Sequence, residues 1–439
     1  MALQLGTASL ASIASFWNNS VQAAVPKRGR GPARSVILIF NSGAPSHIDL
    51  WDPKPDAPDN VRGVFKPIST KVSGIQVSEL LPRMAERADK LAIVRSVHHE
   101  HSSHNAGMYW SIVGRPYRMD STLINPSRSD YPSVGTLVGW LAQRDDYAGA
   151  VPPYVITPHP HCDSFQYITP GQFGGFLGAK YDPLVVKGDP NSVDFSVPDL
   201  RIADGLSPER LGQRSDLLRR LDDHRHAGLN EIAVDYEINR AKALSLVTSA
   251  DLSSAFDLSK EPDGVRERYG RHTWGQSHLL ARRLVEAGVR FVTTVNGPSI
   301  VWDTHADNFN TLKNKLVPPM EQAYAALLDD LAERGLLDST LVVWMGDFGR
   351  TPAINGKAGR DHWPQCYSMV LAGGGIRGGQ VVGESDNTGG VPRSRPLTPA
   401  DIHATMFKTL GHDPHVVIYR TADGRPTPLS EGQVIGELL

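Results

Sequence analysis

Residues 327–352, LLDDLAERGLLDSTLVVWMGDFGRTP, decide the fold. The first part carries apolar residues at helical spacing and stops at Gly335. "TLVVWMG" (340–346) is then an unbroken apolar run of strand length, as a strand covered on both faces requires. The polar cluster "GDFGRTP", with Asp347 and Arg350, follows at once. Helix, buried strand and polar turn form the unit of an α/β, doubly wound sheet.

That unit recurs along the chain. "SVILIF" (35–40), "LAIVRSV" (91–97), "PPYVITP" (152–158), "VRFVTTV" (289–295) and "SMVLAGG" (368–374) read as further strands. Helices are predicted over 78–90 with Ser78 as cap, 133–144, 277–288, 306–337 with a break near Pro318–Pro319, and 398–411. Strands separated by helices imply parallel pairing through right-handed crossovers, giving a mostly parallel sheet with helices on both faces. Long charged helical patterns fill 207–250, and about 160–270 reads as an insertion or cap on a single domain spanning 34–439.

Composition narrows the function classes. The chain has 439 residues and a formal net charge of −2, so it carries no electrostatic footprint for nucleic acid. Cys162 and Cys366 match no zinc or redox spacing. "LQLGTASLASIASFW" with the small residues before Pro26 resembles an export signal cut near Ala23 or Ala24, although no Lys or Arg precedes Lys27. Residues 1–33 are therefore set apart as an export signal and linker. The expectation is an exported chain, periplasmic or extracellular, or cytoplasmic if that segment is an ordinary helix. No later stretch reaches ~18 apolar residues, so no integral membrane segment is expected in the mature chain.

In open α/β sheets ligands bind beyond the carboxyl ends of the strands. The segments placed there are rich in polar residues. They are "NSGAPSHIDLWDPKP" with His47, Asp49 and Asp52, "HHEHSSHNAG" (98–107), "NGPSIVWDTHADN" with Asp303, His305 and Asp307, "GDFGRTP", and "GRDHWP" with Arg360, Asp361 and His362. His98 and His99 belong to the strand exit, whereas His101 and His104 are the better ligand candidates, and Ser103 suits the N-cap of a helix from His104 to about Val113. Asp and His without Cys suit a divalent ion, zinc, manganese or calcium. Arg350 and Arg360 are expected to contact an oxyanion. Asp303 as a helix cap, Asp347 paired to Arg350, and Asp361–His362 as a core pair are the structural alternatives.

The stretches "SGAPSHIDLWDPKPDAP", "GMYWSIVGRP", "WDTHADNF", "LLDDLAERGLLDSTLVVWMGDFGRTPAINGKAGRDHWP" and "LAGGGIRGG" resemble the bacterial family of domain of unknown function 1501, from about residue 34 to 439. That family in turn resembles the alkaline phosphatase and sulfatase superfamily, which implies an alkaline-phosphatase-like fold and metal-dependent ester chemistry. Asp347 matches a metal-binding aspartate of the superfamily, with Phe348 where a histidine would follow. His362 resembles a later histidine ligand, and Asp303 with His305 or Asp307 resembles an earlier pair at altered spacing. Counting back from Gly114–Arg115 puts His104 at the nucleophile position. Either Ser103 or Ser102 takes that role by a register shift, or the metal set is rearranged without a covalent step, or catalysis is lost.

The resulting expectation is a metal-dependent hydrolase of phosphate or sulfate esters, acting on a small-molecule or polysaccharide ester. Asp303, His305, Asp347 and His362 are its first metal ligands. Asp49, His104 and Asp361 stand behind them, and Ser103, His104, Arg350 and Arg360 are the catalytic candidates. The alternatives are a non-catalytic binding or surface-assembly protein on the same fold, and a metal-dependent mutase or transferase.

Overall fold

The apolar run at 340–346 forms a strand with every residue buried, at the middle of the sheet. The computed structural model describes residues 31–145, 151–164, 167–197, 250–297 and 299–439, with 210, 211, 213, 214 and 217. The N-terminal signal stretch and most of the charged pattern at 207–250 lie outside the described residues.

The strands are β1 (Ser35–Asn41), β2 (Leu91–Val97), β3 (Tyr154–Thr157), β4 (Leu184–Val185), β5 (Phe291–Val295), β6 (Thr340–Gly346), β7 (Tyr367–Ala372) and β8 (Gln380–Val382). They make one eight-stranded sheet in the order β8-β2-β7-β6-β1-β5-β3-β4. The central β1 pairs in parallel with β6 and β5. Parallel pairs also join β5 to β3, β3 to β4, and β2 to β8. β7 is the exception in the mostly parallel sheet, running antiparallel to both β6 and β2. The chain between β6 and β7 holds no crossover helix, only the hairpin of Gly349–Arg350 with His362–Trp363, and without a crossover it returns antiparallel.

Alternation along β1 feeds two cores, since successive strand residues point to opposite faces. Val36, Leu38 and Phe40 pack with helices α1 (His104–Val113), α2 (Val134–Arg144) and α5 (Pro399–Thr409). Ile37 and Ile39 pack with α3 (Thr273–Glu286) and α4 (Val317–Glu333). Two helix starts have a clear local cause. Ser133 accepts from the Thr136 amide at 3.1 Å, and Thr398 with Asp401 closes a capping box ahead of α5.

One helix begins later than the periodicity predicts. Over 78–90 only Pro82–Ala85 and a 3₁₀ turn at Ala88–Lys90 are helical, while Ser78 ends a short strand paired with Pro67–Ser69. The residue before a proline disfavours the α region, so Pro82 starts the helix instead of continuing it. The stretch expected as a helix over 306–337 is helical from Asn308 to Glu333, and Pro318 and Pro319 fall in the first turn of α4, which starts at Val317. The irregularity lies just before them, as a π-helical turn at Leu312–Leu316.

Candidate metal centre

The carboxyl ends of β1, β5 and β6 meet the start of α1 over one buried carboxylate. Asp347 follows β6 directly, and its Oδ2 lies 2.5 Å from His104 Nδ1. The Gly43 amide, past the end of β1, donates to both Asp347 oxygens at 3.1 and 3.2 Å. Gly43 has φ +103°, and a Cβ there would stand 2.6 Å from the Ile300 carbonyl oxygen, so the position needs glycine. Behind Asp347, His99 Nε2 and Ser111 Oγ donate to its main-chain oxygen at 2.7 and 3.0 Å. His104 is thereby held by its Nδ1, with Nε2 turned inward.

Around Asp303 Oδ1 three imidazoles converge: His305 Nε2 at 3.0 Å, His362 Nε2 at 3.2 Å and His104 Nε2 at 3.3 Å. His305 and His362 also bring their Nε2 atoms to 3.0 Å from each other. His104, Asp303 and His362 each offer a ligand atom within 4.8 Å of the other two. Ligands about 2.0–2.1 Å from a tetrahedral ion stand roughly 3.3 Å apart, close to these separations. His104 Nε2 is also buried with no hydrogen-bond partner, its geometry toward Asp303 being off line, so a donor atom is left for an ion. The residues fit a divalent cation bound by nitrogen and one carboxylate. The other imidazole nitrogens are fixed from outside: His305 Nδ1 by Asp361 Oδ1 and His362 Nδ1 by the Ser102 carbonyl, both at 2.6 Å.

The electrostatics match a cation site. Burial opposes ionisation of Asp303, but His104, His362 and the Arg350 guanidinium outweigh it and hold the carboxyl well below the usual range. For His104, burial favours the neutral ring, yet Asp303 and Asp347 raise its pKa to about 9. An ion in the site would displace that proton, because a ligating imidazole must be neutral. Phe348 stacks on His104 with centroids 5.1 Å apart and lies 4.9 Å from His362. The ring walls this side of the group with carbon.

The remaining expected site residues are placed as follows. Asp347 joins the centre through His104 and Gly43, and Asp361 through His305. Asp49 does not reach it: Arg360 Nε and Nη2 bind its carboxylate at 2.8 and 3.0 Å, with Ser46 and Asn308 completing its bonds. This corrects the expectation of Asp49 as a ligand, since a carboxylate already filled by a buried guanidinium has no lone pair facing the ion. The expectation of an oxyanion contact from Arg360 is corrected with it, because its other N–H groups reach the carbonyls of Val61, Thr351 and Pro352. Arg350 is also buried, bound to Asp303 Oδ1 at 2.5 Å and to the carbonyls of Gly43, Ala44, Trp302 and Arg360. It serves as a fixed counter-charge behind Asp303, not as an open clamp.

In the histidine stretch, His99 is buried between Trp110 and Asp347, and burial pushes its pKa down to about 4. His101 packs edge-on to Trp110, 4.8 Å between centroids, and is not in the group. Ser103 is the residue before α1, and its amide donates to Asp120 Oδ1 at 2.8 Å. Asp307 caps the turn beyond His305 with φ +47° and accepts from Asn310.

One residue near the centre escaped the sequence reading. Asp163 lies in the short strand Cys162–Ser164, beyond β3, and its charge acts on His104, Asp303, Asp347 and His362. The signal was present, because "HPHCDSF" follows the predicted strand 152–158 and the rule for carboxyl ends applies there too.

A family model described as protein of unknown function (DUF1501) matches residues 33–439. No sequence among the curated proteins matches the chain. Solved structures similar to it include a protein in the alkaline phosphatase superfamily from Vibrio parahaemolyticus, with 10% identity and a TM-score of 0.39, covering 95% of this chain and 74% of that one. The PsFucS1 sulfatase from Pseudoalteromonas sp. has 13% identity and a TM-score of 0.38, covering 93% of this chain and 74% of that one. The lipoteichoic acid synthase LtaP from Listeria monocytogenes has 12% identity and a TM-score of 0.39, covering 96% of this chain and 93% of that one.

Proposed function

The chain belongs to the DUF1501 family, and on that premise we propose that it is a metal-dependent hydrolase of phosphate or sulfate esters on an alkaline-phosphatase-like fold. The observation that carries the proposal is the convergence of His104, His305 and His362 on Asp303 Oδ1, with His104 Nε2 buried and only poorly aligned toward that oxygen at 3.3 Å. Imidazole nitrogens with one carboxylate favour zinc or manganese over calcium, which takes mainly oxygen. When bound, the ion would supply charge stabilisation for the ester's transition state and a water of lowered pKa.

The protein's own residues divide the remaining work. Asp303, His104 and His362 would hold the ion, and His305, which reaches Asp303 and His362 but is outside that group of three, would stand at its edge as a further donor. Asp347 and Asp361 would fix the tautomers of His104 and His305, and such outer carboxylates typically carry 10–100-fold in metal affinity. Arg350 would limit the negative charge of the site without touching substrate. Ser103, at the start of α1, keeps the place of a possible attacking hydroxyl, in competition with water. The substrate class is a small-molecule or polysaccharide ester. Export to the periplasm or outside, through the signal at residues 1–33, belongs to the same proposal, as does a single domain over 34–439. The described parts of the expected insertion at about 160–270 join the main fold, Leu184–Val185 as a strand of the sheet and Leu252, Phe256 and Tyr269 in its core. No helix among the described residues is long and apolar enough to cross a membrane.

A non-catalytic binding protein is the second reading, favoured by Phe348 packed against both His104 and His362 where a further polar residue would assist chemistry. Zinc- or manganese-loaded protein assayed on a panel of phosphate and sulfate esters separates the two. Turnover abolished in His362→Ala supports the hydrolase, and bound metal without turnover of any ester supports the binding protein.

A further inference from the structure

Each imidazole around Asp303 has a second nitrogen, and two of the three end directly on a carboxylate, His104 on Asp347 and His305 on Asp361. His362 Nδ1 instead meets the Ser102 carbonyl at 2.6 Å. A carbonyl only accepts, so His362 carries its proton on Nδ1 and, as a neutral ring, leaves Nε2 bare toward Asp303. The same peptide unit is engaged on its other side. Its N–H belongs to Ser103 and donates to Asp120 Oδ1 at 2.8 Å. The Ser102 amide and Oγ donate to Asp120 Oδ2 at 2.9 and 3.0 Å, so both carboxylate oxygens are committed to this pair of serines.

Asp120 follows Ser103 by 17 residues, in the chain that leaves α1 at Gly114 and returns to the start of that helix. Asn105, buried on α1, anchors the return by donating from Nδ2 to the Thr122 carbonyl at 2.7 Å. Burial opposes ionisation of Asp120, but the amides of Ser102 and Ser103 outweigh it and hold the carboxyl below its usual range. An N–H bound to an anion polarises its peptide and makes the carbonyl of that unit a stronger acceptor, because hydrogen bonds in a chain reinforce one another. A stronger acceptor at Nδ1–H raises the basicity of Nε2, the atom that faces the ion. We propose that Asp120 is a positioning residue for the metal centre, orienting His362 and strengthening it as a ligand through the Ser102–Ser103 peptide, an inference that rests on the metal-dependent reading. All three histidines are then backed by a carboxylate, His362 through one peptide unit and the other two by contact.

The test is the zinc affinity of the full chain, by competition with a chromogenic chelator, for Asp120→Asn, His362→Ala and the double variant. Asp120 is exposed, and Asn keeps one acceptor oxygen for the serines while removing the charge. Asp120→Asn should lower affinity about tenfold, the lower end for an outer carboxylate. In the His362→Ala background the same change should cost less than about twofold, because the route it acts through is gone. Equal losses in both backgrounds would overturn the proposal, since a charge acting through space or a disordered loop does not need His362. Unchanged affinity in Asp120→Asn beside a zinc-binding wild type rejects Asp120 alone. A wild type that binds no zinc rejects the metal-dependent reading and this role together. A second measurement needs no ion: long-range proton–nitrogen NMR correlations of isotope-labelled histidine in metal-free protein, in mildly alkaline buffer. His362, identified by its loss in His362→Ala, should be protonated on Nδ1 in the wild type, with the Nε2 tautomer gaining share in Asp120→Asn. An unchanged His362 signal would overturn the relay.

Discussion

At His104 the two nitrogens of one ring have separate tasks. Nδ1 is held by Asp347 and Nε2 is left bare beside Asp303. Asp347→Asn should therefore lower metal affinity by about 10–100-fold without abolishing it, whereas His104→Ala should remove a ligand and lower it further. Competition with a chromogenic chelator measures both, and equal affinities in wild type and Asp347→Asn would refute the division. Asp49→Ala should act on stability instead. It strands the buried Arg360 guanidinium and should lower the unfolding free energy by about 3–5 kcal/mol, leaving the metal content of the folded protein unchanged. A loss of metal in the folded fraction would return Asp49 to the site. Ser103→Ala distinguishes an attacking hydroxyl from water: near wild-type turnover means water attacks, and loss of turnover with metal retained means Ser103 does.

Among the elements, α1 carries the site and is fitted closely to β6. A Cβ on Gly107 would lie 2.6 Å from Phe348 Cδ1, so Gly107→Ala must push the ring that stacks on His104. The helix would gain about 1 kcal/mol from the substitution alone, yet the displaced ring should make the net effect destabilising and weaken metal binding. A more stable variant with unchanged metal affinity would show that Phe348 does not support His104. The helix α1 starts at the expected residue although the Ser103 side chain makes no capping bond, and element identity was legible where apolar period and cap agreed, as in α5. Strand direction was not, because period carries no sense of direction, and β7 turned antiparallel for want of a crossover helix. Nor was the Asp49–Arg360 pair legible, since its members lie 311 positions apart and each looked like a rim residue. The gathering of Asp303, His305 and His362 was legible from the rule for strand ends, and Asp163 was within its reach.

The whole molecule buries several neutral histidines outside the centre, and they set its response to acid. Burial pushes the pKa values of His99, His278 and His403 down to about 4 and that of His161 to about 3, from an ordinary value of 6.5. The unfolded chain binds more protons than the folded one between these values. Their contribution is therefore complete above pH 6.5 and is lost as pH falls toward 4, at up to about 1.4 kcal/mol per pH unit for each ring. Urea unfolding of metal-free protein at pH 7 and pH 4.5 should show a much lower midpoint in acid; equal midpoints would mean these rings are not buried neutral. The central claim is that Asp303 beyond β5, His104 on α1 and His362 on the hairpin after β6 hold one ion. Elemental analysis of the full chain purified without chelator, beside His362→Ala, tests it most directly. Roughly one equivalent of zinc or manganese in the wild type, lost from His362→Ala, is the predicted result. A wild-type protein that is folded, binds no divalent ion when offered zinc or manganese, and behaves as His362→Ala does would contradict it.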